Sequence, residues 1–167
     1  MVDRMTSSGD KERTQSLHTY LHDHAAGARY AVQLLTALKD HHAGTSIGDF
    51  ATDQLQQIQE DLKTLESLAE HLGAGGFQTK ELAGWLAEKF SGLKLSPLEK
   101  PFPTFEALES LSLGILGKRA LWTALASVAP SNPGLNTLDF DSLLQRAEVQ
   151  YAATETVRLQ LAAQVFG

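Results

Sequence analysis

The chain has 167 residues, of which 43% are hydrophobic and 20% charged, a composition typical of one globular domain with its own core. It contains no cysteine, which excludes disulfide scaffolds, thiolate zinc sites and cysteine nucleophiles. A formal net charge of −6 argues against a nucleic-acid partner, because phosphate binding rests on clustered lysine and arginine. No apolar run reaches the roughly 20 residues that span a bilayer, and the polar start lacks a signal core. We therefore expect a cytoplasmic protein with no membrane partner.

Proline and hydrophobic spacing divide the chain into helical segments. All five prolines lie within residues 97–103 and 130–133, which we interpret as connections because proline breaks a helix interior. Residues 1–14 are expected to form a flexible polar tail, and residues 15–167 one bundle domain. Apolar spacing predicts long helices at about 15–43, 46–72, 104–129 and 139–166, and a short extra helix at 79–91.

The third predicted helix is apolar around most of its circumference. We therefore expect it to be the most buried helix, with Thr104 as its N-terminal cap. The short helix at 79–91 is not expected to cover this surface fully, and the pattern therefore favours a homodimer. The fourth helix is expected to begin after Asp139 or Asp141.

The lengths of the connections restrict the order of the helices in space. Short loops join the first helix to the second and the third to the fourth, so each pair is expected to be antiparallel. About 31 residues separate Gly73 from Pro103, enough to run the ~39 Å length of a 26-residue helix. This length permits a long crossover between the second and third helices, and a simple up-down-up-down bundle remains open.

Four sequence phrases add a resemblance to a known family. The phrases are Tyr20-Leu-His-Asp-His-Ala-Ala-Gly27, Glu60-Asp-Leu-Lys-Thr-Leu65, Trp85-Leu-Ala-Glu-Lys-Phe90 and Leu113-Gly-Ile-Leu-Gly-Lys-Arg-Ala-Leu-Trp122. Together with the helix lengths, they resemble an uncharacterised bacterial family of ferritin-like proteins over roughly residues 15–166. The resemblance implies an all-α ferritin-like four-helix bundle, with the short helix carried on a long crossover.

The sequence lacks the metal ligands that are typical of ferritin-like oxidases and iron stores. Those proteins hold two metals with a carboxylate from each of two helices and a Glu-x-x-His motif from each of the other two. No glutamate of this chain has histidine three residues later; Glu60, for example, is followed at that distance by Lys63. We therefore predict that there is no di-metal centre and no cofactor.

A buried polar layer is predicted in place of the metals. At 100° per residue, Asp61 faces the apolar arc of the second helix and His24 lies on the seam of the first. Crossover threading puts five side chains at one level, about 21–30 Å below the first loop. The layer consists of His24, Asp61, Lys118, Arg119 and Glu148. Its acids and cations would neutralise one another and exclude a divalent ion, unless Lys118 and Arg119 extend their charged ends into solvent.

Three readings of the function follow. The leading one is a binding or structural protein rather than an enzyme, with an unknown small-molecule ligand. The alternative is an iron- or manganese-dependent oxidoreductase or a metal store, with a degenerate site formed by His24, Asp61, Glu109 and Glu148. A third is an apolar patch or pocket lined by Trp85, Phe90 and Trp122. His18 and His22, four apart on one helical face, could jointly ligate zinc or nickel, although a solvated face is the favoured interpretation.

Overall fold

All regular secondary structure in the described residues is helical. The computed structural model describes residues 3–75, 98 and 100–167. It contains four long helices: α1 (Asp3–His41), α2 (Ser46–His71), α3 (Pro101–Val128) and α4 (Phe140–Phe166). Two single 3-10 turns, Ala129–Ser131 and Pro133–Leu135, connect α3 to α4. The all-α prediction is confirmed for this part of the chain, whereas the short helix expected at 79–91 lies outside it.

The first helix is longer than hydrophobic spacing predicts. It begins at Asp3, so residues 3–14, expected as a flexible tail, continue the helix instead. Asp10 pairs with Arg13 at 2.5 Å, and its carbonyl oxygen accepts a hydrogen bond from Thr14 Oγ1. These exposed polar contacts lie one turn apart in a segment, residues 3–14, whose sequence has no apolar face. Hydrophobic periodicity therefore carries no signal for this segment.

The first residues of the third and fourth helices follow from the residue types found there. α3 begins at Pro101, because proline in the first turn lacks only an N–H that would have no helical partner. Thr104, expected as the cap, lies instead inside the first turn, fully buried, and its hydroxyl is 2.7 Å from the Leu98 carbonyl oxygen. α4 follows Asp139, whose carboxylate accepts a hydrogen bond from the Ser142 backbone N–H at 3.1 Å.

The contacts between helices give their relative directions. α1 packs on α2, and α3 packs on α4. His42, at the end of α1, is 3.1 Å from the hydroxyl of Thr104 at the start of α3, so these two helices run in opposite directions. It follows that α2 and α3 run the same way. The end of α2 and the start of α3 therefore lie at opposite ends of the bundle.

Two hydrophobic clusters fill the bundle, one in each half. The cluster near the α1–α2 loop includes Leu35, Leu38, Ile58, Leu108 and Leu161. The cluster in the other half includes Leu21, Leu65, Leu121, Trp122 and Leu143. Asp61 follows Ile58 by three residues and precedes Leu65 by four, so it lies between the two clusters. Within residues 3–75, 98 and 100–167, every helix is too short or too polar to span a lipid bilayer.

Candidate functional site

A buried carboxylate from α2 meets two cations from α3 and α4 at the centre of the bundle. Asp61 is only 3% exposed. Its Oδ2 lies 2.5 Å from Lys118 Nζ on α3, and its Oδ1 pairs with Arg146 on α4. We call Asp61, Lys118, Arg146 and Gln150 the polar cluster. Ion pairs hold such a buried charge in place, because an uncompensated carboxylate in the core is strongly unfavourable.

Gln150 completes the cluster as a neutral bridge. It is fully buried on α4, and its Oε1 accepts a hydrogen bond from Lys118 Nζ. Its Nε2 donates to Asp61 Oδ2 at 3.1 Å and to Gln57 Oε1 at 3.3 Å. The amide therefore supplies one acceptor to the cation and one donor to the carboxylate. Neither Gln150 nor Arg146 was predicted from the sequence, although glutamine at an apolar position of α4 is a signal that could have identified the former.

The cluster places one carboxylate beside two cations, of which Lys118 is the more buried, with a side chain 13% exposed against 32% for Arg146. Burial lowers the pKa of Lys118, and the charge and hydrogen bond of Asp61 oppose this effect, while nearby Arg146 adds to the lowering. Arg146 has a second, more distant partner in Glu60, at 3.8 Å, whose side chain is largely exposed. The buried carboxylate of Asp61 thus forms ion pairs with both cations.

Two of the five residues expected in the buried layer lie at the surface instead. Arg119 and Glu148 have side chains that are 51% and 61% exposed, and they pair with each other at 3.5 Å. Arg119 follows Lys118 by one residue and is therefore rotated about 100° around α3, away from the core. Glu148 precedes Gln150 by two residues, and it is Gln150 that faces inward.

His24 lies beside the cluster but forms no ion pair with any of its four residues. It is half-buried on α1, and its ring packs edge-on against Tyr20 with the ring centroids 4.6 Å apart. Burial lowers the pKa of His24 below 6.5, and the charge of Asp23 opposes this shift. His24 therefore favours the neutral imidazole at neutral pH. It lines the same cavity as Asp61 and Lys118.

This cavity, of about 190 Å³, lies between α1, α2 and α3. Most of its lining is apolar, with contributions from Ile58, Leu65, Leu111, Ile115 and Leu121. Asp61 and Lys118 form its buried polar end, and the other polar residues of the lining are His24 and the exposed Asp23. We call this space the central cavity.

Three glycines in the interior of helices line the central cavity: Gly27, Gly114 and Gly117. A methyl group added at any of them would meet no atom of the described residues within 4 Å. Glycine in a helix interior costs about 1 kcal/mol relative to alanine. No close approach of described backbone requires this cost. The missing side chains instead leave the cavity wall open.

Trp122, which lines the cavity, has a buried hydrogen-bond donor without an acceptor in the described residues. It is 1% exposed and lines the space together with Lys118. Its buried Nε1 has no hydrogen-bond acceptor in the described part of the chain. A buried donor without a partner is rare and calls for an explanation. Trp85 and Phe90, which were expected to share a patch with Trp122, lie outside the described residues.

The alternative set of metal ligands is not assembled. Glu109 pairs with Arg158 at 3.5 Å and Glu148 with Arg119, so neither joins His24 and Asp61. Among residues 3–75, 98 and 100–167, no three histidine, aspartate or glutamate side chains are grouped so that they could hold a metal ion.

The histidine pair of α1 contacts the end of α2 instead of lying on a solvated face. His18 Nε2 is 3.1 Å from the Leu72 carbonyl oxygen, and His22 Nε2 is 3.1 Å from that of Ala74. A carbonyl oxygen only accepts, so each ring nitrogen donates. These bonds satisfy backbone acceptors that the end of a helix leaves unpaired.

Comparisons with known proteins do not identify a family. No family model matches the chain, and no solved structure matches it. Over 91 residues the chain is 34% identical to the protein named ATP-binding cassette sub-family A member 7 from Mus musculus. This match covers 49% of the chain and 4% of the mouse protein. The chain thus spans a very small part of the curated relative that it matches.

Proposed function

We propose that this chain is a ligand-binding protein, a ferritin-like four-helix bundle without a di-metal centre that holds a small, largely apolar molecule in the central cavity. The parallel course of α2 and α3 supports the ferritin-like part of the proposal, because it requires a connection between opposite ends of the bundle. The observation that carries the binding function is the central cavity itself, whose wall is opened by three helix glycines above a buried ion pair.

The size of the central cavity favours a ligand with a single ring. An engineered apolar cavity of about 150 Å³ stays dry and binds benzene. The central cavity has about 190 Å³, room for one ring with a small substituent. Its mostly apolar lining would contribute affinity, and the polar end would orient the bound molecule.

The charges of the polar cluster disfavour the alternative function of metal-dependent oxidation or metal storage. A divalent cation would have to compete with Lys118 and Arg146 for Asp61, the carboxylate that both already pair with. Each of these cations would also repel the metal. Elemental analysis of protein purified without a chelator or a histidine tag tests this alternative: near-stoichiometric iron, manganese or zinc that is lost in His24→Ala would support it.

Binding of toluene, a single-ring apolar probe, tests the proposed function. A Trp85→Phe chain leaves Trp122 as the only indole, so its fluorescence reports occupation of the cavity that it lines. We expect a saturable change with one site per chain. Gly114→Leu, which adds a side chain at the cavity wall, should weaken binding by about tenfold or more.

Ala120→Leu provides the matched control for this experiment. It adds a leucine to an exposed position of the same helix that does not line the central cavity. We expect toluene to bind Ala120→Leu as it binds the parent chain. Absence of saturable binding to the parent, or equal binding to Gly114→Leu, would contradict the proposed function.

A further inference from the structure

Two side chains that line the central cavity have hydrogen-bond donors without acceptors in the described residues. Lys118 carries three N–H groups, and two of them are accepted by Asp61 and Gln150. The third has no acceptor in the described part of the chain. The second unused donor is the Nε1–H of Trp122, which is 1% exposed. Both side chains line the same cavity.

The charges around these donors determine whether the cavity favours an anion or a cation. Lys118 and Arg146 share the single buried carboxylate of Asp61. At the polar end of the cavity Lys118 would repel a bound ammonium group, and Asp23, the second acid of the lining, is exposed to solvent. A bound anion would instead accept from the N–H of Lys118 that has no acceptor in the described residues.

We propose that the ligand of the central cavity is a small carboxylic acid, bound as its anion, with its carboxylate accepting hydrogen bonds from Lys118 and Trp122 and its apolar body among the leucines and isoleucines. This inference rests on the proposed function. A carboxylate fits better than a phosphate group, because the cavity offers two unused donors and a mostly apolar wall. The volume of about 190 Å³ accommodates one ring and a carboxylate.

Three probes of similar shape separate the ligand classes. Benzoate, toluene and benzylamine are compared by calorimetry at neutral pH, where benzoate is an anion and benzylamine a cation. We expect benzoate to bind about tenfold or more tightly than toluene, and benzylamine to bind more weakly than either. Equal affinities for benzoate and toluene, or a preference for benzylamine, would overturn the inference.

Two variants assign the preference to the named donors. Lys118→Met removes the ammonium, and Trp122→Phe removes the Nε1–H while keeping an aromatic ring. Each should reduce the ratio of benzoate to toluene affinity to within about threefold, whereas Lys118→Arg should keep most of it. The measured quantity is the ratio of benzoate affinity to toluene affinity. A general loss of packing that weakens the binding of both probes equally leaves this ratio unchanged and therefore does not imitate the expected result.

The outcomes separate this inference from the proposed function. If neither toluene nor benzoate binds the parent chain, the proposed function fails and the inference fails with it. If toluene binds and Gly114→Leu prevents it, but benzoate has no advantage, the proposed function stands and the carboxylate inference is wrong. A benzoate preference that persists in both Lys118→Met and Trp122→Phe also overturns the inference.

Discussion

At the scale of single residues, Asp61 is the side chain on which the polar cluster depends. Replacing it with alanine would leave Lys118 without its carboxylate in a buried setting and would remove the inner partner of Arg146. Removing one member of a buried ion pair is strongly destabilising, and we expect Asp61→Ala to lower the free energy of unfolding by about 3 kcal/mol. Urea unfolding followed by circular dichroism measures this change.

Glu148→Ala is the control for the Asp61 prediction. It breaks an ion pair of the same charge type in which both side chains are largely exposed, so a change below about 0.5 kcal/mol is expected. The double variant Asp61→Ala/Lys118→Met should recover part of the loss, because it removes the cation left unpaired. Equal effects of Asp61→Ala and Glu148→Ala would show that the cluster is solvated.

His24 gives the folded chain a pH-dependent stability of predictable sign. Burial lowers the pKa of His24 in the folded state, so the unfolded chain binds more protons in the range just below pH 6.5. The free energy of unfolding therefore increases with pH in this range. The contribution of His24 is fully present above the unfolded pKa and is lost as pH falls toward the lower folded value.

Comparing the parent chain with His24→Gln isolates this contribution from those of the other histidines. Urea unfolding is measured at several values between about pH 5 and pH 7.5. We expect the parent to lose more stability on acidification than His24→Gln does. Identical slopes in the two chains, or a steeper slope in the variant, would contradict the prediction.

Helical angles predicted the inward position of Asp61 and Lys118 because both lie on strongly apolar arcs. They failed for Arg119, since an arc as wide as that of α3 does not distinguish neighbours one residue apart. They failed for Glu148 because it lies only at the flank of the apolar arc of α4, where Gln150 faces inward instead. Arg146 was missed because its guanidinium reaches inward from a partly exposed position, which periodicity cannot detect. For Arg146, the length of the side chain rather than the angle of its Cβ decided the outcome.

At the scale of elements, the contact between α1 and the end of α2 shows what spacing can and cannot predict. The four-residue separation of His18 and His22 correctly implied a shared face, but it did not reveal what that face meets. The structure puts the carbonyl oxygens of Leu72 and Ala74 there. Such partners come from a segment more than 50 residues away along the chain. No local pattern encodes them.

The helix glycines are a second feature at this scale. Replacement by alanine is expected to stabilise the chain at Gly114 and to destabilise it at Gly48. At Gly114, an added methyl group meets no described atom within 4 Å, so Gly114→Ala should gain helix propensity and raise stability by roughly 1 kcal/mol. At Gly48, the same group would overlap the carbonyl oxygen of His42. Gly48→Ala should therefore destabilise the α1–α2 connection despite the same gain in propensity.

Thermal and urea unfolding of the two alanine variants check this prediction. A stabilised Gly114→Ala would mean that the natural glycine sacrifices stability, which is expected of a wall kept open for a ligand. A strongly destabilised Gly114→Ala would show that the space is occupied by the folded chain itself, and this result would also count against the proposed function. If Gly48→Ala is neutral, the connection adjusts more easily than its backbone contacts indicate.

At the scale of the whole molecule, the arrangement of the helices was more predictable than the space between them. The fixed rise of 1.5 Å per residue correctly placed Asp61 and Lys118 at one level once α2 and α3 run in the same direction. The central cavity could not be predicted in this way. Its existence depends on the absence of side chains from two facing helices. A glycine in the sequence of a helix does not reveal whether side chains of a neighbouring helix fill the space beside it.

Self-association is the remaining prediction at this scale. The apolar circumference of the third helix favoured a homodimer, and ten of the residues of α3 are indeed buried within the chain. Leu113 on the same helix is 65% exposed, and Val149 and Leu159 on the adjacent α4 are exposed as well. An interface that uses this side of α3 would bury Leu113 against a second copy.

Light scattering after size exclusion distinguishes a dimer from the 18.1 kDa monomer. We expect a dimer at high protein concentration and a shift toward the monomer in Leu113→Glu, because a charge at the centre of an apolar interface opposes association. Since Leu113 packs little within its own chain, the melting temperature of the diluted monomer should change little. A parent chain that remains monomeric at every concentration excludes the dimer, and an unchanged dimer in Leu113→Glu would locate the interface on another face.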